Sequence, residues 1–349
     1  MEPSVWSDAL ARLVRGEDLP ADVVEQVMTA ILSGDLTDVQ IAGFAVALRS
    51  KGESAQELAA LVRTMLRFAA RVDVDLAGGP VVDTCGTGGD RSHTVNVSTM
   101  AALVAAGAGV RVAKHGNRAA SSACGSADVF EALGVVIDLG PDGVARCIDE
   151  AGIGFCFAPR FHPAMRYAGP ARAQLGVPTT FNFLGPLANP ARVRRQVVGV
   201  PDPAMAERML ATLAQLGAER AMVFHGADGL DELTTTTVSD VLELRDGDVH
   251  RSVVDPADLG IARAERAALV GGDPAHNAEV VRRVLDGEPG PVRDVVVLNA
   301  SAALVTAGVA ADLAHGLDVA RDAIDSGRAG SALDRFVKVS HATADAERG

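Results

Sequence analysis

Residues 81–90 read Val81-Val82-Asp83-Thr84-Cys85-Gly86-Thr87-Gly88-Gly89-Asp90, and this stretch decides the fold. A short β-branched run enters a glycine cluster. A strand is therefore expected to end in a loop whose N–H groups can close on an anion without Cβ interference. The spacing is not the P-loop pattern, since no Gly-Lys-Ser/Thr follows, nor the GxGxxG dinucleotide fingerprint. Taken alone, these glycines also suit a plain tight turn. Beyond the loop the pattern alternates. Helices are expected over 99–106, 127–133, 141–150 and 203–216, and strands over 110–113, 135–139, 153–158, 221–225 and 295–298. Such alternation implies βαβ units and a central, largely parallel sheet flanked by helices. A helical stretch over 160–175 interrupts this α/β region.

Upstream, no strand pattern occurs. Trp6, Leu10, Leu13 and Val14 recur at helical spacing, and a second helix is expected from Pro20 to Gly34. Thr37 with Gln40, and Ser54 with Glu57, have capping-box spacing. Ile41, Phe44, Ala45 and Leu48 make one apolar face; Leu58, Leu61, Val62 and Met65 make another. The chain thus reads as a small all-helical domain followed by a larger α/β domain. Its 349 residues suffice for two modest domains. Hydrophobic residues make up 48% but aromatics only 3%, so the core must be Ala, Val and Leu, which suits helices on buried parallel strands. No apolar run reaches membrane-spanning length. Glu2 and Asp8 stand where a secretion leader would be basic and then apolar, so no leader is expected. Cys85, Cys124, Cys147 and Cys156 form no CxxC pair and read as reduced thiols of a cytoplasmic protein.

The net charge of -13 disfavours nucleic acid and anionic membranes as partners. Charge is unevenly spread, however. Residues 91–127 contain no Asp or Glu but include Arg91, Arg111, Lys114 and Arg118. Residues 151–201 are again free of acids and carry Arg160, Arg166, Arg172, Arg192, Arg194 and Arg195. Two such stretches in an acidic chain suggest a pocket kept for anions.

Three further segments carry chemistry. Asn96-Val97-Ser98-Thr99 opens a helix, where free N–H groups and hydroxyls attract anions, although ordinary N-capping uses the same residues. Lys114-His115-Gly116-Asn117-Arg118-Ala119-Ala120-Ser121-Ser122 follows a strand, at the sheet edge where α/β ligands bind. It is poor core material. His225 to Leu233, with Asp231-Glu232 before the threonines 234–237, could bind a hard cation, though alone it reads as an acidic surface turn. Together these loops ask for a polyphosphate, one or two magnesium ions and a second anion.

In order and spacing, Gly-Thr-Gly-Gly-Asp, Asn-x-Ser-Thr, Lys-His-Gly-Asn-Arg-x-x-Ser-Ser and the Asp-Glu pair resemble the anthranilate phosphoribosyltransferase family over essentially the whole chain. The resemblance implies the fold shared with pyrimidine nucleoside phosphorylases. The helical domain would comprise 1–73, completed by inserted helices at about 166–186, and the α/β domain 74–165 and 187–349. It implies transfer of phosphoribose from phosphoribosyl pyrophosphate (PRPP) to anthranilate in tryptophan biosynthesis, two magnesium ions, and a homodimer joined through the helical domains. Gly86, Gly89, Asp90, Thr94, Asn96, Val97, Ser98 and Thr99 would hold PRPP. Lys114, His115, Gly116, Asn117, Arg118, Ala119, Ala120, Ser121, Ser122 and Ser126 would complete that site, with Lys114 stabilising departing charge. Ser98, Asp231 and Glu232 would ligate magnesium. Gly86, Asn117 and Arg172 would contact anthranilate, with His115 and Pro159 lining its path and Arg172 facing the glycine loops. Val95 and Cys124 depart slightly from the family pattern.

Two other readings remain distinguishable. A pyrimidine nucleoside phosphorylase would need a lysine in the glycine loop, which here is Gly86-Thr87-Gly88-Gly89-Asp90. A non-catalytic nucleic-acid-binding relative would need a basic groove and eroded magnesium ligands, against the negative charge and the intact Asp231-Glu232.

Overall fold

The computed structural model describes residues 3–75, 78–90, 92–119 and 123–348. Four helices come first: α1 (Pro3–Val14), α2 (Ala21–Ser33), α3 (Asp38–Lys51) and α4 (Ala55–Arg67). Both capping boxes form, Thr37 accepting from the Gln40 N–H and Ser54 from the Glu57 N–H. Each such cap contributes about 1 kcal/mol. Gly34 ends α2 in the left-handed conformation at φ 78°, which glycine adopts without a Cβ penalty. The two apolar faces read from α3 and α4 are buried. In α1, Leu13 is buried but Val14 is 77% exposed.

The α/β part runs β1 (Val81–Gly86), α5 (Val97–Gly107), β2 (Arg111–Gly116), α6 (Ser126–Ala132), α7 (Pro141–Ala151) and β3 (Ile153–Phe157). An insertion follows: α8 (Ala158–Phe161), a 3-10 turn (Pro163–Tyr167), α9 (Gly169–Leu175) and α10 (Phe181–Leu187). Then come β4 (Arg195–Gly199), α11 (Pro203–Gln215), β5 (Arg220–Gly226), β6 (Ser239–Arg245) and β7 (Asp248–Val254). The chain closes with α12 (Pro274–Leu285), α13 (Pro291–Ala307), α14 (Leu313–Asp325) and α15 (Arg328–Arg348).

The seven strands lie in the order β3-β2-β1-β4-β5-β6-β7. The first five are parallel and the last two antiparallel. The connections run outward in opposite directions from the β1–β4 pair, so a crevice opens at the carboxyl ends of these strands. One apolar cluster packs α5 and α13–α15 on one sheet face; the other unites α1–α4 and α11 with Cys85, Val198 and Val223 of the opposite face. Ala168, Ala171, Phe181 and Phe183 of the insertion belong to this second cluster. The insertion therefore packs with the N-terminal helices.

Two expected strands are corrected. Residues 135–139 form no strand, although Val135, Ile137 and Leu139 do alternate inward. The Val136 N–H donates to the Ser340 hydroxyl of α15 instead of to a neighbouring strand, at 3.0 Å. Residues 295–298 lie inside α13, whose residues from Val295 to Ala307 are all buried. A short apolar run cannot tell a buried strand from a buried helix by periodicity. Strands β4, β6 and β7 were not anticipated. The β6–β7 hairpin turns at Asp246 and Gly247, with φ of 55° and 88°, a two-residue signal that favours such hairpins.

Candidate active site

The glycine loop leaves the carboxyl end of β1. Gly88 and Gly89 both take left-handed φ, 70° and 87°. At Gly86 a Cβ would collide with the Asp231 carboxylate, so this close approach requires glycine. The Gly88 N–H donates to Asp231 at 2.7 Å. At the start of α5 the Ser98 N–H donates to Glu232 at 3.2 Å. The loop after β5 thus meets both the glycine loop and a helix N-terminus, where the aligned peptide dipoles favour negative charge. Asp228 organises this loop by accepting from Thr234 and Thr236 hydroxyls and the Leu230 N–H.

Acid exceeds base here. Burial pushes the Asp231 carboxyl up to about 7, and neighbouring Asp90 adds to the rise. Burial and then Asp231 push Glu232 up, against Lys114. The Asp90 Oδ2 atom is buried without a hydrogen-bond partner. Among the described residues no three His, Cys, Asp or Glu side chains close around a metal by themselves. Magnesium needs no such cage: it takes one or two carboxylates and fills its shell with phosphate and water. The oxygen donors and the orphaned Asp90 atom therefore fit a magnesium–polyphosphate pair.

The other residues expected at a phosphate site have the following surroundings. Thr94 bridges to Val270, Asn96 precedes α5 and donates to the Cys124 carbonyl, Val97 is buried, and Thr99 Oγ1 is buried without a partner. Lys114, on β2, is 1% exposed and donates to the Thr84 carbonyl at 2.6 Å and to Ser98 Oγ at 3.3 Å. Burial draws its pKa down, opposed by Asp83, Cys85 and Glu232. Gly116 ends β2, and Asn117 accepts from Ser126 Oγ through its carbonyl. Asp128 fastens this turn by accepting from the Ala119 and Gly125 N–H groups. Arg118 is exposed and ion-paired with Asp128 and Glu131. Ala120, Ser121 and Ser122 lie outside the described residues.

His115 points to the other sheet face. Its Nδ1 bonds the Gly185 carbonyl of α10 at 2.9 Å, and its ring lies 5.1 Å from that of His162. His162 bonds the Ala188 carbonyl, so these imidazoles hold the returning end of the insertion. Burial lowers them to about 3 and about 4, keeping both neutral. Below them Asp83 accepts from the His115 N–H, Asn189 and Gln196. Burial raises its carboxyl to about 6. Pro159, in α8, is exposed. Arg172 sits on α9, which packs on α3 and the 3-10 turn. Its guanidinium lies 5.9 Å from the Phe181 ring at the start of α10. Phe181 opens α10, the same helix whose Gly185 carbonyl bonds His115. Burial alone lowers its pKa, and among the described residues no carboxylate pairs with it.

The sequence reading passed over Asp83, His162, Asn189, Gln196, Asp228, Arg266 and Asn277. A carboxylate inside an apolar strand was a usable signal for Asp83. Asn277, which donates to Asn96 at 2.9 Å from α12, carried none.

A two-domain α/β protein with a phosphate cradle, a magnesium-suited acid cluster and a desolvated arginine matches two family models. Residues 78–330 match the glycosyl transferase family a/b domain, and residues 7–69 the helical bundle domain of the same family. The chain is 56% identical over 339 residues to the anthranilate phosphoribosyltransferase of a Nocardioides species, covering 96% of this chain and 98% of that one. The crystal structure of anthranilate phosphoribosyltransferase from Thermus thermophilus is similar at TM-score 0.90 and 44% identity, covering 96% of this chain and 99% of that one. The Saccharomyces cerevisiae enzyme in complex with PRPP and Mg is similar at TM-score 0.89 and 26% identity, over 98% of this chain and 99% of that one. The chain belongs to the anthranilate phosphoribosyltransferase family.

Proposed function

We propose that the chain joins anthranilate to PRPP, releasing pyrophosphate, as a step of tryptophan biosynthesis. The observation that carries this reading is the pairing of uncompensated charges: acids without a cation beside the glycine loop, and Arg172 without an acid on the insertion. One centre suits magnesium-bound pyrophosphate, with two ions expected; the other suits a carboxylate. The yeast relative is described in complex with PRPP and Mg, and again with 4-fluoroanthranilate, which supports both ligands.

In this reading the C1–O bond to pyrophosphate breaks, a C1–N bond to the amine forms, and the amine gives up a proton. Positive charge builds on the ribose ring. Gly86, Gly89, Asp90, Thr94, Asn96, Val97, Ser98 and Thr99, with residues 114–122 and Ser126, hold PRPP. Lys114 offsets departing negative charge from a water-poor position. Ser98, Asp231 and Glu232 would hold magnesium, which would supply positive charge at the leaving group. Arg172 grips the anthranilate carboxylate, while Gly86, Asn117, His115 and Pro159 bound its path. An aromatic amine is already neutral at pH 7, so orientation replaces strong base catalysis. The domains proposed are 1–73 with about 166–186, and 74–165 with 187–349.

A second copy of the chain is proposed to cover a groove of about 700 Å³ between α1 and α3, lined by Leu10, Leu13, Val14, Ala42 and Val46. Exposed apolar surface of this kind marks an interface. A monomeric mass at micromolar concentration would contradict the homodimer. All four cysteines are buried and outside any disulfide, which suits the cytoplasm. The central test mixes the protein with anthranilate, PRPP and magnesium and follows anthranilate fluorescence. Loss of fluorescence that stops in excess chelator is expected; none at all would refute the reading.

A further inference from the structure

Arg266 opens a 3-10 turn (Arg266–Leu269) that no site residue occupies. Its Nη2 donates to Ser92 Oγ at 2.6 Å and its Nη1 to the Asp228 carbonyl at 3.4 Å. These acceptors stand on different loops. Ser92 is two residues beyond Asp90, bonding the Asp90 carboxylate through its N–H at 3.1 Å and the Asp90 carbonyl through its hydroxyl. Asp228 organises the loop that carries Asp231 and Glu232. The same turn is laced to the glycine loop by two backbone bonds, Val95 N–H to the Leu269 carbonyl and Gly271 N–H to the His93 carbonyl.

The chemistry of the bridge is unusual. A cation stands between two acid-bearing loops, yet the bonds it makes go to a backbone carbonyl and a hydroxyl. Both acceptors are neutral oxygens. The guanidinium fork can therefore fix the loops by direction while leaving the carboxylates free for a metal. A lysine offers its donors from a single nitrogen on a flexible stem, without the planar spread with which the guanidinium fork fixes two acceptors.

We propose that Arg266 is a positioning residue: it clamps the glycine loop to the carboxylate loop and sets the separation of Asp90 from Asp231 and Glu232 at which magnesium-bound PRPP is held. The role rests on the function proposed above. Arg266 is exposed, so its replacement leaves the core intact.

The first test needs neither metal nor turnover. Hydrogen exchange of amides 92–95 and 226–232 is measured in the metal-free protein. Arg266→Ala is expected to speed exchange there by about tenfold and Arg266→Lys by less, since a charged hydrogen bond is lost or loosened. The second test is kinetic. Arg266→Ala is expected to raise the half-saturating magnesium concentration and the KM for PRPP by about three- to tenfold, and the KM for anthranilate by less than about twofold. Adding Ser92→Ala to Arg266→Ala should change these values little further, because both remove one contact. Unchanged exchange, or equal rises in both KM values, would overturn the clamp. An unsubstituted protein without turnover would instead overturn the functional reading, while the exchange result would still judge the clamp itself.

Discussion

The carboxylate loop and the inserted helix α9 present opposite halves of one problem. At Asp231 and Glu232, burial forces two acids upward in pKa, and Lys114 opposes the rise only at Glu232. At Arg172, burial pushes a base downward with no acid paired to it. Placing a buried charge without a partner costs several kcal/mol, and proteins normally avoid it. The difference suits the proposed function: one region would be completed by a magnesium-bearing polyphosphate, the other by a carboxylate.

The acid half should fail hardest. Asp231→Ala removes a metal-suited oxygen and the acceptor of the Gly88 N–H together. Its kcat/KM for PRPP is expected to fall on the order of a hundredfold or more, the usual loss when one preorganised electrostatic group is removed. Glu232→Ala should lose most at low magnesium. Steady-state kinetics across a magnesium titration checks both, and activity retained in excess chelator would break the comparison at its acid end.

The basic half should give the next largest effect. Arg172→Ala is expected to raise the KM for anthranilate about ten- to a hundredfold, the cost of a charge-assisted bond of roughly 1.5–3 kcal/mol. The KM for PRPP should move much less. A larger defect for PRPP would assign this arginine to the other ligand.

Legibility followed the same division. The acid half was readable because its motifs are contiguous: Gly86 to Asp90, Asn96 to Thr99 and Asp231-Glu232 each follow a strand or open a helix. Both capping boxes, being local, were readable too. What depends on distant packing was not. Val295 to Leu298 is apolar enough for a strand, and only its place inside the buried α13 makes it helix. His162 and Gln196 looked ordinary because their partners, Ala188 and Asp83, are supplied by the fold. Arg172 stands out by resemblance and an acid-free neighbourhood, whereas its contact with the Phe181 ring emerges only in three dimensions.

Between the two halves lies the neutral imidazole pair, which sharpens the comparison through pH. Burial lowers His115 from 6.5 to about 3 and His162 from 6.5 to about 4. A base with a depressed folded pKa contributes stability that is complete above about 6.5 and is lost as pH falls through the folded values. Asp83, raised from 3.8 to about 6, works in the opposite sense: its contribution is complete below 3.8 and is lost as pH rises through about 6. Asp231 and Glu232, both raised, act in the same sense as Asp83, so the imidazoles are isolated by comparing variants: each neutral imidazole contributes a loss on acidification approaching about 1.4 kcal/mol per pH unit between pH 6 and 4. Urea unfolding of the protein and of His162→Gln at pH 6 and pH 4 measures it. The variant is expected to lose less stability on acidification by about that amount, and an unchanged slope would mean that this imidazole is not held neutral.

Arg118 is the control for the whole comparison, and the smallest effect. It lies in the same stretch proposed to hold PRPP as Lys114, but it is exposed and already paired, at 3.0 Å to Asp128 and by a second ion pair to Glu131. Exposed pairs of this kind contribute about 0.2–1 kcal/mol each. To reach a phosphate, Arg118 must release at least one of them, so part of its gain on binding is offset. A charge-assisted phosphate contact of roughly 1.5–3 kcal/mol, less that exchange and solvent screening, leaves a modest surplus. Arg118→Ala is therefore expected to raise the KM for PRPP only about two- to fivefold, far less than Asp231→Ala lowers kcat/KM. Glu131→Gln should act oppositely, freeing the guanidinium and lowering that KM by up to about twofold. Both shifts should shrink as ionic strength rises, because the competing pairs and the phosphate contact are screened together. Kinetics of the two variants at low and high salt decides the point. A hundredfold defect in Arg118→Ala would mean that compensated and uncompensated charges contribute alike, and the distinction drawn between the two halves of the cleft would fail.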